Sequence, residues 1–401
     1  MWGKNLKSYS NISMPQNLWY DIAFIMWFGG ELIFKSTLET INDIPLSYYE
    51  ERVTYIVTFM LIFQVFFLQK YTKRDIFIIT GITVIVLLAT YNSGAQYLAA
   101  AWLFIMASKN CHLKNMTKIA FWVLTLGILL VLTMYKVGII TETIVYRHGM
   151  IRHSFGFSHP NQLALRIFQW ILCFSYTYWE NFGIFHFSVV CIVGYWMHSV
   201  TDSQTATVCA VAFIIMTIII KRLEKRKDKY IAYVGVMLRI GSVIIGVLSV
   251  GLTYIDVRTV PLLSIIDRII SNRFFWTHKV YKRVGNSLLG KKFSIGAVMN
   301  GMIQIRRGMY FDNGYANLWL RFGIIVLICF LTGYYILMKK SANNKLLTVI
   351  LFIYSIYGIM EAGFVQLTHN IFLLALAQVI YSDNAYLNEQ KRENRKIVFR
   401  M

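Results

Sequence analysis

Residues 119–140 read IAFWVLTLGILLVLTMYKVGII and residues 231–254 read IAYVGVMLRIGSVIIGVLSVGLTY, and these two stretches decide the fold. Roughly 20 consecutive apolar residues are what a helix needs to cross the hydrocarbon core of a bilayer. A helix also satisfies its own backbone N–H and C=O groups, as lipid demands. Outward from these two, apolar runs of helical length recur near 18–35, 53–69, 75–92, 95–108, 162–179, 183–200, 204–220, 315–338, 345–361 and 364–381. The count is about twelve, each of the length a span requires. Composition agrees. The chain is 57% hydrophobic and 15% charged, where soluble domains carry about 25% charged residues. The expected fold class is all-α: a polytopic membrane protein with one integral membrane domain over 1–385 and a basic cytoplasmic tail over 386–401.

A formal net charge of +21 would point to nucleic acid in a soluble protein. Here the charges sit in short clusters between apolar runs, as topology signals do, so no nucleic-acid partner is expected. Lys4 and Lys7, then Lys70, Lys73 and Arg74, then Lys109, Lys114 and Lys118 fall on one side. Basic residues over 221–229, 339–345 and 391–400 follow on that same side. The short loops opposite, near 36–52 and 141–161, hold only Arg52, Arg147 and Arg152. Twelve spans and this bias place both termini in the cytoplasm. Asp21 and Glu31 interrupt the first apolar run, which therefore reads as a helix rather than a cleaved signal. Cys111, Cys173, Cys191, Cys209 and Cys329 have no spacing that suggests disulfides or a metal.

That orientation exposes 141–161, the turn at 200–204 and the long segment 255–314 on the external face. In the last, Pro261 suits a first helical position. Leu262, Ile265, Ile266, Ile269 and Ile270 then recur at helical spacing, predicting amphipathic helices on the membrane surface. Its surplus of basic residues suits either an anionic ligand or anionic lipid headgroups. No internal repeat of the transporter kind is visible. Walker, dinucleotide, HExxH and Asp-x-Asp signatures are all missing, so neither a cofactor nor a metal is expected. His148, His153 and His159 lack the spacing of a metal site.

The polar residues gather on the external side. Arg152 to Asn161 read RHSFGFSHPN and run into the sixth helix, with Ser158 or His159 near its cap and Pro160 at its first position. The free N–H groups of that helix start offer an anion site, or simply a capped loop. Thr201-Asp202-Ser203-Gln204-Thr205 is either a polar turn or part of a site. Ser271-Asn272-Arg273 and Leu288-Leu289-Gly290 stand in the long segment, and Asp312-Asn313-Gly314-Tyr315 opens the tenth helix. Arg166, Arg321 and Glu361 are charges at the mouths of apolar helices, where a charge needs a partner or a water-filled cavity. His369-Asn370 reads as a packing pair.

In that order, RHSFGFSHPN, TDSQT, SNR…LLG and DNGYANLWLRFGII resemble the motifs of the Wzy-type polysaccharide polymerases, with a broader likeness to O-antigen ligases. The resemblance covers roughly 147–330. It implies transfer of a growing glycan from undecaprenyl pyrophosphate onto the next lipid-linked repeat unit, at the outer face of the bacterial cytoplasmic membrane. It implies a metal- and nucleotide-independent glycosyltransferase whose partners are the lipid-linked donor and acceptor and the bilayer. A chain-length regulator and a flippase belong to the same pathway. By the match, Arg273 would bind pyrophosphate with help from Arg152, because a guanidinium fork pairs with phosphate oxygens bidentately. Asp312 would be the general base. Asn313, His159 and Asn161 would position substrate or shape the helix entrance. Many relatives have Ser-Arg where this chain has Ser203-Gln204, so an expected cation is missing, and either Arg166 or Arg321 substitutes for it or the pyrophosphate is held differently. A ligase-like transfer to another acceptor and a transporter of lipid-linked oligosaccharide are the alternatives. Capsule, exopolysaccharide and O-antigen stay equally open.

Overall fold

The computed structural model describes residues 17–147, 149–226, 230–295, 303–305 and 311–381, and most of them are helical. The first half comprises α1 (Leu18–Phe34), α2 (Leu46–Phe63), α3 (Lys73–Ser93), α4 (Tyr97–Ala107) and α5 (Leu113–Lys136). A π-helical turn, Gln64–Leu68, prolongs α2. Then come α6 (Pro160–Tyr178), α7 (Ile184–Thr201), α8 (Gln204–Lys225) and α9 (Tyr230–Tyr254). Strands are short and paired. β1 (Thr40–Ile41) meets β2 (Ile44–Pro45), and β3 (Val145–Arg147) meets β4 (Met150–Arg152), both antiparallel.

Six of these helices are long and apolar enough to cross a membrane, judged by length and composition: α2 with its π turn, α3, α5, α7, α8 and α9. Their outward faces carry large apolar side chains in the open, such as Phe77 at 82%, Tyr91 at 85% and Ile184 at 87% exposure. Water would penalise such faces, and a bilayer would not. Helix ends differ from the apolar runs where local chemistry decides. α2 begins at Leu46 because Pro45 ends the extended chain before it, so Glu50, Glu51 and Arg52 extend the helix beyond its apolar part. α5 stops at Lys136, ahead of Gly138 at φ +82°.

Segment 255–295 contains two helices, α10 (Pro261–Ile269) and α11 (Arg273–Val284). On α10, Leu262, Ile265, Ile266 and Ile269 are exposed while Asp267 is buried. A parallel pair, β5 (Phe293–Ile295) and β6 (Ile303–Ile305), follows.

Two expected continuous helices are broken. The tenth, expected over 315–338, is a short α12 (Gly314–Asn317), a π turn over Leu318–Phe322, and α13 (Ile324–Lys340). The break is a backbone-to-backbone contact. A Cβ on Gly323 would stand 2.3 Å from the Leu288 carbonyl oxygen, and one on Gly290 would stand 2.6 Å from that of Arg321. Both glycines also have φ near +100°, which other residues rarely adopt. Ile324 N–H donates to Ser287 O and Lys291 N–H to Arg321 O, stitching the two strands of chain together.

α14 (Lys345–Met360) follows, but the stretch 364–381 is no regular helix. It is a 3₁₀ turn at Ala362–Val365, another at Ile371–Leu376, and one α-helical turn, α15 (Ala377–Ile380). Its apolar side chains are buried by other helices, so protein rather than lipid surrounds the irregular backbone. Buried likewise are most of α6 and α14, which form the centre of the molecule. His148, Lys227, Lys229, Arg306, Arg307 and the basic tail lie outside the described residues.

Candidate functional site

The TDSQT stretch is a hub. Asp202 takes a left-handed conformation (φ +43°) and ends α7, and α8 starts two residues later at Gln204. The turn thereby offers the Thr201 carbonyl on one side and the Gln204 and Thr205 side chains on the other.

The β3–β4 hairpin reaches this turn from one side. Its register pairs Val145 with Arg152 and Arg147 with Met150, which puts Arg147 and Arg152 on the same face, on diagonal positions within reach of long side chains. Arg152 Nε donates to Thr201 O at 2.6 Å, and its Nη2 donates to Asn161 Oδ1. Arg147 Nη2 donates to Gln204 Oε1 and Ser271 Oγ, both at 2.8 Å. Among the described residues no carboxylate stands within ion-pair distance of either arginine. Burial, and next the charge of Arg147, lowers the Arg152 pKa, with Asp202 as a partial counterweight. Two like charges held this close favour an anion beside them.

His159 is the N-cap of α6 and Pro160 its first residue. The Asn161 N–H donates to His159 Nδ1 at 3.1 Å, which leaves the ring proton on Nε2 as a donor. Burial, and next the charge of Arg152, lowers the His159 pKa and favours the neutral ring. The Gln162 N–H donates to His159 O at 2.9 Å. Two of the N–H groups at this helix start, those of Asn161 and Gln162, are thus already taken.

From the other side comes Arg273. Ser271 and Asn272 are both left-handed (φ +65° and +57°), and the Asp267 carboxylate accepts the N–H groups of Phe274 at 2.8 Å and Phe275 at 3.1 Å. This cap fixes Arg273 as the first residue of α11. Its guanidinium lies 3.2 Å from Asp312 and 3.6 Å from Glu361. Glu361 stands one residue past the end of α14, and the neighbouring Thr205 side chain favours its charged form. Burial pushes its carboxyl up to about 7, with Arg273 pulling down and Asp312 pushing further up. A carboxylate near neutrality suits proton transfer at cellular pH.

The remaining expected residues fare differently. Asn313 is buried: its Oδ1 caps α12 through the Ala316 N–H at 3.0 Å and its amide pairs with Ser249 at 2.8 Å. It shapes the helix start and is fully buried. Arg321 donates to Asn317 Oδ1 at 3.2 Å and lies over the Phe293 ring. Asn317 in turn donates to Tyr97 Oη at 2.6 Å and to Ala362 O at 3.4 Å, next to Glu361. Arg166 is set apart. It is fully buried, bonded to Gln169 at 3.2 Å and Thr368 O at 2.7 Å, and 3.6 Å from Glu31.

The structure therefore gathers Arg273, Asp312 and Gln204, with Arg152, His159 and Asn161 adjoining across the Thr201 turn. It adds Arg147, Glu361, Thr205 and Ser271, to which the sequence reading gave no role. Arg147, rather than Arg166 or Arg321, is the arginine bonded to Gln204. The sequence signal for it was the alternation VYRHGMIR about His-Gly, a hairpin with arginines five apart. Among the described residues no group of three or more His, Cys, Asp or Glu gathers as for a metal ion. Compared with family models, curated proteins and solved structures, the chain matches none.

Proposed function

We propose that this chain polymerises polyprenyl-pyrophosphate-linked oligosaccharide repeat units at the outer face of the bacterial cytoplasmic membrane. The observation that carries the reading is a pair of arginines, Arg147 and Arg152, that have no carboxylate partner among the described residues and bond the 201–204 turn, next to Thr205 and a glutamate whose carboxyl is pushed up to about 7. The acceptor sugar hydroxyl gives its proton to Glu361, and its oxygen attacks C1 of the donor glycan. The C1–O bond to pyrophosphate breaks, and polyprenyl pyrophosphate leaves with the electron pair, stabilised by Arg147 and Arg152. Asp312, the base expected from the motif, is more exposed than Glu361 and shares Arg273 with it. We assign Asp312 to the acceptor hydroxyls and Arg273 to holding both carboxylates and the incoming phosphate.

Twelve crossings, counting the broken tenth and the irregular last segment, put both termini in the cytoplasm by the bias of basic residues. The cluster then opens outward, and the exposed apolar stripe of α10 rests in the lipid interface.

The test is a strain lacking this protein, with surface glycan and lipid-linked intermediates analysed together. Single repeat units with long chains lost are expected. Long chains accumulating unattached on their carrier would favour a ligase, and repeat units trapped on the cytoplasmic face would favour a transporter.

A further inference from the structure

Arg239 is a charge that the cluster at the 201–205 turn does not use. It stands on α9 about 13 Å of helix axis beyond Tyr230, at 1.5 Å per residue. Its neighbours Val236, Met237 and Ile240 on that helix are exposed apolar side chains of the kind that meet lipid. A cation at that depth is costly and calls for a partner. Among the described residues no hydrogen bond or ion pair reaches its guanidinium, and its Nε is buried without a partner. Its one recorded contact of this kind is the ring of Tyr335 on α13, whose centre lies 5.1 Å from the guanidinium carbon. A ring face attracts the charge but does not neutralise it.

The surroundings describe what would. Helical side chains lean towards the N-terminus of their helix, so Arg239 leans towards the Tyr230 end of α9 and over Gly235, four residues back. A Cβ on Gly235 would meet nothing within 4 Å, so that space is open. On α13, Lys339 follows Tyr335 by four residues and shares its face. Lys339 is exposed and has no ion pair among the described residues, whereas Lys340 beside it turns inward to donate to Gln378 O at 2.7 Å. The exposed Tyr335 hydroxyl makes no hydrogen bond among the described residues either. Two cations and a hydroxyl beside an open notch match a phosphate group, whose several oxygens can take a guanidinium fork and further donors. The flanking Met237 and Ile240 favour a phosphate that brings its own acyl chains, because a soluble anion would have to leave water to stand beside them.

We infer that Arg239, Tyr335 and Lys339 bind the phosphate headgroup of an anionic phospholipid, between α9 and α13 at the end of these helices where Tyr230 and Lys340 stand. The site is separate from the proposed glycan chemistry, which belongs to the opposite ends of the same two helices. There Ser249 of α9 bonds Asn313, and Gly323 opens α13 against Gly290. The lipid clamps the two helices together far from the reacting groups.

The test is native mass spectrometry of the full-length protein in mild detergent, with phosphatidylglycerol, phosphatidylcholine or glycerol 3-phosphate added. The wild type should retain phosphatidylglycerol with about tenfold higher affinity than Arg239→Gln, the scale of a lost charge-assisted hydrogen bond. Gly235→Leu fills the notch and leaves the charge in place, and it should weaken retention to a similar degree. Leucine favours helix over glycine and meets no neighbour at its Cβ, so this variant should fold. Arg239→Lys should recover only part of the affinity, because an ammonium lacks the fork. Equal retention of phosphatidylglycerol by the wild type and both weakened variants, or equal retention of phosphatidylcholine, would overturn the inference. So would competition by glycerol 3-phosphate, which would make the ligand a soluble phosphate. A wild-type dimer that Arg239→Gln dissociates, with lipid retention unchanged, would give the arginine to a second copy of the chain and overturn it too. No glycan enters the measurement, so its outcome is distinct from that of the deletion strain.

Discussion

Arg166 and Arg273 each face a glutamate across 3.6 Å, yet they belong to different kinds of place. Arg166 is sealed in the centre, its other bonds going to Gln169 and a backbone carbonyl. Arg273 keeps 14% of its side chain exposed, faces a second carboxylate in Asp312, and sits on a helix start capped by Asp267. A sealed pair has no partner to exchange, so it fixes how α1 packs on α6. An open triad of one cation and two anions can trade partners with a ligand. Burial alone would have ranked Arg166 first as a functional residue, and accessibility reverses that order.

The contrast predicts opposite consequences for the two sites. Arg166→Ala leaves the largely buried Glu31 without its nearest cation, which costs about 3–5 kcal/mol. Most of the protein should vanish from the membrane, as read by immunoblot of membrane fractions. The double change Glu31→Gln with Arg166→Met should restore the level, and failure to do so would give that pair more than a packing role. Arg273→Ala should leave protein level normal while slowing chain extension about 100- to 1,000-fold, the range for a lost transition-state partner. A drop in level matching that of Arg166→Ala would erase the distinction between the two sites.

Arg147→Gln and Arg152→Gln should each slow extension about 10- to 100-fold, as loss of a charge-assisted hydrogen bond does. Arg147→Lys should recover only part, because an ammonium lacks the planar fork. Full activity in both glutamine variants would remove the leaving-group assignment. The gentlest effect is that of pH. A base must be deprotonated to act, so extension should rise as pH increases through about 7, where Glu361 titrates, and then level off. Glu361→Gln should be slow and flat across that range, and an unchanged profile would return the base to Asp312.

Helices were legible in the sequence wherever the chain meets apolar surroundings with a long run, as in α3, α5 and α9. The two misread helices failed for tertiary reasons. Gly290 against Gly323 is a contact between residues 33 positions apart, and no window of sequence contains it. The 364–381 run is apolar throughout, but burial by other helices frees its backbone from the need to be helical. In the site, Arg273, Asp312 and Gln204 were readable from motif order. Glu361 and Arg147 were not, because their importance lies in which segments the fold brings to the 201–205 turn. Asn313 caps α12 and Arg166 faces Glu31 in the centre, and residue type and depth do not tell which partner the fold supplies to either.

The most direct test is reconstitution of the purified protein in nanodiscs with a lipid-linked repeat unit as sole substrate, without nucleotide or added metal. The account predicts a ladder of longer lipid-linked glycans with polyprenyl pyrophosphate released in step, and no ladder from Arg273→Ala. Repeat units returned unextended by the wild-type protein, or a ladder of equal yield from Arg273→Ala, would contradict it.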